Sequence, residues 1–148
     1  KFEESTIEGY SGGAIDILIA LHACDTATDD AIAKGIQSGA ELIVCAPCCH
    51  KQIRQQLKGK TFDNPVLKYG IYKERLFEMI TDTLRALFLE MHGYKSNLFE
   101  FISSEHTNKN IMLTAVKSGS IDRDRAASRF NELKEEYGIE YHYLEKLM

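Results

Sequence analysis

The run IDILIALHACDTATDD, residues 15–30, decides how this chain folds. Its first seven residues are almost all apolar, and they give way without a linker to His22, Cys24, Asp25, Thr26 and two further aspartates. A short, nearly continuous apolar run of this kind fits a strand covered on both faces, as in a parallel sheet. The same change of character recurs where AELIVCA, residues 40–46, runs into PCCHK, residues 47–51. Between the two, Thr26 is placed to cap a helix, and Asp29 and Asp30 favour its positive end. Ala27, Ala31, Ile32 and Ile36 give that helix an apolar face, and Gly39 is placed to stop it. The unit is strand, helix, strand, so both polar clusters fall beyond the carboxyl ends of neighbouring parallel strands, where open α/β sheets bind ligands.

Working outward, Cys49 to Leu57 reads as a short helix, with Lys51, Arg54 and Lys58 giving it a basic side. Such a side is ordinarily a solvated face, and otherwise a phosphate contact. After a loop with Asn64 and Pro65, the segment from Tyr72 to His92 carries Leu76, Ile80, Leu84, Leu87, Phe88 and Met91 at helical spacing and meets its stop at Gly93. NLFEFI, residues 97–102, and NIMLTAV, residues 110–116, read as an antiparallel strand pair joined by the polar loop SSEHTNK. A last helix is expected from about Asp122 to Tyr137, closed by Gly138, and the tail IEYHYLEKLM has no clear assignment.

Composition bounds the function classes. With 148 residues, 44% hydrophobic and 27% charged, the chain has room for about one globular domain. A net charge of −4 neither supports nor excludes a nucleic-acid partner, since an acidic protein can carry a local basic patch. No apolar run approaches the ~18 residues of a membrane span, and KFEESTIEGY is too polar for a secretory signal. The four cysteines, Cys24, Cys45, Cys48 and Cys49, lack the even spacing of a disulfide scaffold. Reduced thiols and a cytoplasmic location are therefore expected.

The order of elements matches the carboxyl half of a Rossmann-like methyltransferase sheet: parallel strands plus a terminal antiparallel strand, flanked by helices. LHACDTATD, APCCHK, the Arg85 helix ending in HGY, and EHTNKN together resemble one methyltransferase family. It includes bacterial S-adenosylmethionine-dependent proteins, a glutathione-transferase-like animal protein and eukaryotic tRNA ribose 2′-O-methyltransferases. The resemblance implies S-adenosyl-L-methionine as cofactor, with RNA among the acceptors to consider. Such families hold the cofactor with a Gly-rich loop after the first strand and an acidic residue after the second, and neither is found here. Gly12-Gly13 precedes a strand instead of following one. Residues 1–148 are accordingly expected to form a single partial methyltransferase domain that begins near the third strand of its parent and lacks the N-terminal Gly-rich cofactor loop. Alone it would have little activity. The alternative is a noncatalytic Rossmann-like module serving in interaction or assembly.

Methyl transfer requires the nucleophile to be aligned and its proton, if it has one, to be accepted. His22 and Asp25 are the candidate catalytic residues, and Leu21, His22 and Ala23 the candidate cofactor contacts. The plain alternatives are that Asp25 and Thr26 cap a helix and that His22 is a buried, satisfied histidine. Pro47, Cys48, Cys49 and His50, with Glu105, His106, Lys109 and Asn110 of the strand–strand loop, are the candidate substrate contacts, although a polar loop is ordinarily just a solvated turn. A thiolate from Cys24, Cys48 or Cys49 could add to a cytosine, and the same thiols with His50 and His106 include metal-ligand types. Thiols packed under a tight turn are the ordinary outcome. No metal is expected, because adjacent cysteines seldom share an ion. Finally, a strand at 15–21 that lacks its inner neighbour would present a bare apolar edge, and a homodimer through that edge is expected.

Overall fold

The computed structural model describes residues 4–7, 9–10, 12–101 and 110–148. The chain order is β1 (Ile17–Leu21), α1 (Thr26–Gln37), β2 (Leu42–Ala46), α2 (Lys51–Leu57), a 3-10 turn (Pro65–Lys68), α3 (Gly70–Met91), β3 (Tyr94–Glu100), β4 (Ile111–Lys117), α4 (Arg123–Tyr137) and a second 3-10 turn (Tyr143–Lys146). One four-stranded sheet runs β1-β2-β4-β3, with β1 and β2 parallel and β4 antiparallel to both of its neighbours. This is a mixed α/β fold with helices flanking the sheet, consistent with a Rossmann-like methyltransferase fold. Among the described residues no helix is long and apolar enough to cross a membrane.

The sheet has one covered face and one open face. Register puts Leu18 beside Ile43 and Ala20 beside Cys45, and it continues that row through Ala115 and Leu113 of β4. Ile43, Cys45, Leu113 and Ala115 are fully buried, together with Ile32 from α1 and Leu84 and Leu89 from α3. Gly35 lets α1 approach this closely, because a Cβ there would come within 2.7 Å of the Ile43 side chain. On the opposite face Ile17, Ile19 and Leu21 are 55–62% exposed, and Val116 and Phe99 are exposed with them. The expectation that IDILIAL is buried on both faces is therefore corrected. Among the described residues β1 is an edge strand, paired only with β2, whose alternate side chains face solvent. An apolar run by itself does not say what lies against it.

Helix ends follow local chemistry. Asp122 caps α4 by accepting from the Arg125 N–H at 3.0 Å, and Gly138 closes it in the left-handed region at φ 65°. In the tail, His142 and Glu145 form a reciprocal capping box around the final 3-10 turn, which fixes a segment the sequence leaves unassigned. Several boundaries shift: β1 begins at Ile17 and β2 at Leu42; α2 begins at Lys51, not Cys49; α3 spans Gly70–Met91; β3 is Tyr94–Glu100; and β4 is Ile111–Lys117.

Candidate functional site

Strand β1 ends at Leu21 opposite Ala46, the last residue of β2, so LHACD and PCCHK leave the sheet side by side. The two loops are tied together directly. The Asp25 carboxylate accepts from the Gln52 N–H at 3.0 Å, which satisfies an open donor in the first turn of α2. The expected local cap is thus replaced: Thr26 is the first helical residue of α1, Asp25 flanks it without a side-chain bond to that helix, and the carboxylate caps the neighbouring helix instead. Thr28 contributes by donating to the Ala23 carbonyl at 2.5 Å.

The backbone of the first loop is held in an unfavourable region. His22 has φ 56° and Asp25 φ 51°, the two non-glycine residues with positive φ among the described residues. For Asp25, ψ is −118°, a combination that side-chain-bearing residues seldom adopt. His22 is exposed, which corrects the alternative of a buried, satisfied histidine.

Beneath the loops lies a buried polar network that sequence reasoning did not find. Arg85 of α3 is fully buried. Its Nε donates to Asp29 Oδ1 at 2.7 Å, its Nη1 to Asp82 Oδ1 at 3.1 Å, and its Nη2 to the Asp25 carbonyl at 2.9 Å. Asp82 Oδ1 also meets His50 Nε2 at 2.9 Å. Burial works against the Arg85 charge, but Asp29 and then Asp82 outweigh it and its pKa is raised. Burial pushes the Asp29 carboxyl upward while Arg85 pulls it down; a guanidinium at 2.7 Å is matched by a carboxylate, so the pair is ionic. His50, expected to touch substrate, is 4% exposed and belongs to this support. The sequence offered only a partial signal: Asp82 and Arg85 stand at i, i+3 spacing on the predicted helix but off the stripe of Phe77, Ile80, Leu84 and Phe88, and the fold alone shows them buried.

The thiols converge as well. Cys24 Sγ lies 3.4 Å from Cys48 Sγ and 3.7 Å from Cys49 Sγ, and the vicinal pair is 3.8 Å apart. Burial first, then hydrogen bonds with Cys24 and Cys49, push the Cys48 thiol up to about 12. Cys45 stays in the core, its thiol pushed up to about 12 by burial. Pro47 is buried at the start of the second loop.

Antiparallel register places the start of β4 beyond the end of β2, so the β3–β4 connection leaves from the same end of the sheet as the rim. At its base the Phe101 N–H donates to the Asn110 carbonyl at 2.8 Å, and the Asn110 side chain donates to the Phe101 carbonyl at 3.1 Å. Asn110 therefore pins the loop's base. Glu105, His106 and Lys109 lie outside the described residues.

Two cavities border these elements. One of about 400 Å³ lies along β1 and is lined by Leu21 and Ala23 with Tyr10, Ile19, Ala31 and Lys34 among others. His22 is not among its lining residues. The other, about 470 Å³, runs beside α2 and carries Lys51, Arg54, Lys58 and Lys73 against the single acid Glu74.

No curated protein and no solved structure matches the chain. A family model described as a methyltransferase domain matches residues 1–56. That segment holds β1, α1, β2 and both polar loops, and the match supports a methyltransferase domain there, with S-adenosylmethionine the usual cofactor of such domains.

Proposed function

We propose that the chain carries the acceptor-side rim of an S-adenosylmethionine-dependent methyltransferase. The observation that carries the reading is the loop from His22 to Asp25. It holds two residues at positive φ at the carboxyl end of a parallel strand, and the buried Arg85 holds the Asp25 carbonyl from below. Costly backbone kept in place by that much surrounding structure concentrates at sites of chemistry.

Methyl transfer forms a bond from the acceptor atom to the methyl carbon as the sulfur–methyl bond breaks, and any acceptor proton leaves to a base. In this reading exposed His22 takes that proton. Asp25, committed through one oxygen to α2, sets the loop's position and offers its other oxygen to the acceptor. Leu21 and Ala23 form an apolar wall for the cofactor in the cavity along β1, whose volume falls in the range of small-molecule sites. Among the described residues no carboxylate lines that cavity, so its wall fits the cofactor's apolar parts and not its ribose. Weak binding by this chain is the consequence. An RNA acceptor is supported by the basic groove along α2, whose first turn adjoins PCCH.

The test is a ¹⁵N-resolved NMR titration of the chain with S-adenosylmethionine. Shifts at Leu21–Asp25, at neighbouring β1 residues and at the cavity-lining Tyr10, Ala31 and Lys34, with dissociation weaker than micromolar, are expected. No shift there at millimolar cofactor would overturn the reading in favour of a noncatalytic module, and micromolar affinity would overturn its one-walled form. Self-association belongs to the same proposal. The apolar edge of β1, with Ile17, Ile19 and Leu21 exposed beside it, is suited to pairing with its counterpart in a second copy.

A further inference from the structure

We propose that Cys24, Cys48 and Cys49 form a zinc site with three thiolate ligands and one exchangeable fourth position. The three sulfurs make a nearly equilateral triangle with sides of 3.4, 3.7 and 3.8 Å. A tetrahedral zinc with Zn–S bonds of about 2.3 Å has sulfur–sulfur edges of about 3.8 Å, so one face of the coordination shell is already assembled to within a few tenths of an ångström.

The triangle spans two loops, and both are fixed. Cys24 sits between His22 and Asp25, whose positive φ values shape the turn that carries it. Asp25 is in turn bonded to Gln52 of α2, just beyond the vicinal pair, and its carbonyl to Arg85. The expectation against a metal rested on the adjacency of Cys48 and Cys49. Here both reach the same third sulfur, so adjacency is no obstacle.

Among the described residues no His, Asp, Glu or further Cys joins the three within the 4.8 Å that contains them. His50 is committed to Asp82 instead. With Cys24 exposed, water or an exogenous ligand takes the fourth position. Each ligating thiol releases its proton to solvent as the ion binds.

The experiment uses the full chain, expressed with added zinc, purified under reductant and dialysed against metal-free buffer. Atomic emission should find one zinc per chain. Replacement by Co²⁺ should give the visible bands of a tetrahedral thiolate site, with a charge-transfer band that weakens in Cys24→Ser and again in Cys24→Ser/Cys49→Ser. Cys24 is the exposed member, so its serine variant should keep the wild-type circular dichroism and lose stoichiometric zinc. A chelator should lower the melting temperature of the wild type and leave that of Cys24→Ser unchanged. Three outcomes would overturn the proposal: zinc well below one per chain while all thiols titrate as reduced, zinc retained undiminished in folded Cys24→Ser, or a Cys24–Cys48 disulfide in protein that takes up no zinc when reduced.

Discussion

Replacing Arg85 by Met should be among the most damaging single changes outside the apolar core. Met keeps much of the side-chain volume but removes three donors, those to Asp29, Asp82 and the Asp25 carbonyl. The Asp29 and Asp82 side chains are only 1% and 7% exposed, so water cannot replace the lost partner. Removing one member of a buried ion pair costs about 3–5 kcal/mol, and Asp82 keeps His50, so a value near 4 kcal/mol is expected at pH 7. For a domain of this size that lowers Tm by about 10 °C. Without tryptophan in the chain, urea unfolding is best followed by circular dichroism. The orphaned Asp29 carboxyl, pushed upward by burial, can accept a proton, so the loss should shrink between pH 7 and pH 5. Adding Asp29→Asn to Arg85→Met should restore part of the stability, with a coupling of at least about 1 kcal/mol. A loss below about 1 kcal/mol, or one unaffected by both pH and Asp29→Asn, would refute the claim that these charges hold the rim together.

Burial, then Arg85 and Lys134, lower the pKa of His142 to about 3 from its ordinary 6.5, so the unfolded chain binds the proton first and stability falls as pH drops through that window. From pH 8 to pH 5 the loss is about 2 kcal/mol, and His142→Asn, which keeps an acceptor for the Leu144 N–H, should flatten urea-unfolding curves over this range. His22→Gly should hold or raise stability by up to about 1 kcal/mol, because glycine accepts φ 56° freely, while abolishing any methyl transfer measured with labelled cofactor. Equal, measurable activity in the two proteins would remove His22 from the chemistry. If β1 pairs with its counterpart, Ile19→Lys should turn a dimer in sedimentation velocity into a monomer without changing the circular dichroism; a wild-type monomer at high micromolar concentration would defeat the pairing.

Local signals were legible in the sequence where local chemistry sets the outcome. Gly39 and Gly138 end their helices because the chain must turn through positive φ there, and Asp122 caps α4 through its own neighbours. The neighbours β1–β2 and β3–β4 followed from the βαβ unit and the final antiparallel pair, whereas the pairing of β4 with β2 did not. What escaped depends on partners far along the chain. Asp25 has the composition of a cap, yet the helix it serves begins about twenty-five residues later, and the apolar run at 15–21 reads the same whether its outer face is packed or bare. Cys24 and the Cys48–Cys49 pair match no spacing rule, since the triangle is closed by two loops meeting at the sheet rim. Asp29 looked like a first-turn acid favouring a helix end, and only α3 reveals it as half of a buried ion pair.

The attachment of the His22–Asp25 loop to an edge strand has a kinetic consequence. Among the described residues β1 is hydrogen-bonded on one side alone, so it sits low in the hierarchy of local opening, and its amides should exchange with solvent well before those of β2 and β4. Each fraying event at Leu21 also slackens the turn that positions His22 and Cys24. Any molecule that completes the open side of β1, whether a second copy or a ligand, should therefore slow exchange at Leu21 and in the turn beyond it. Protection factors at Leu21–Asp25 measured with and without such a molecule would read how far the edge and the loop open together.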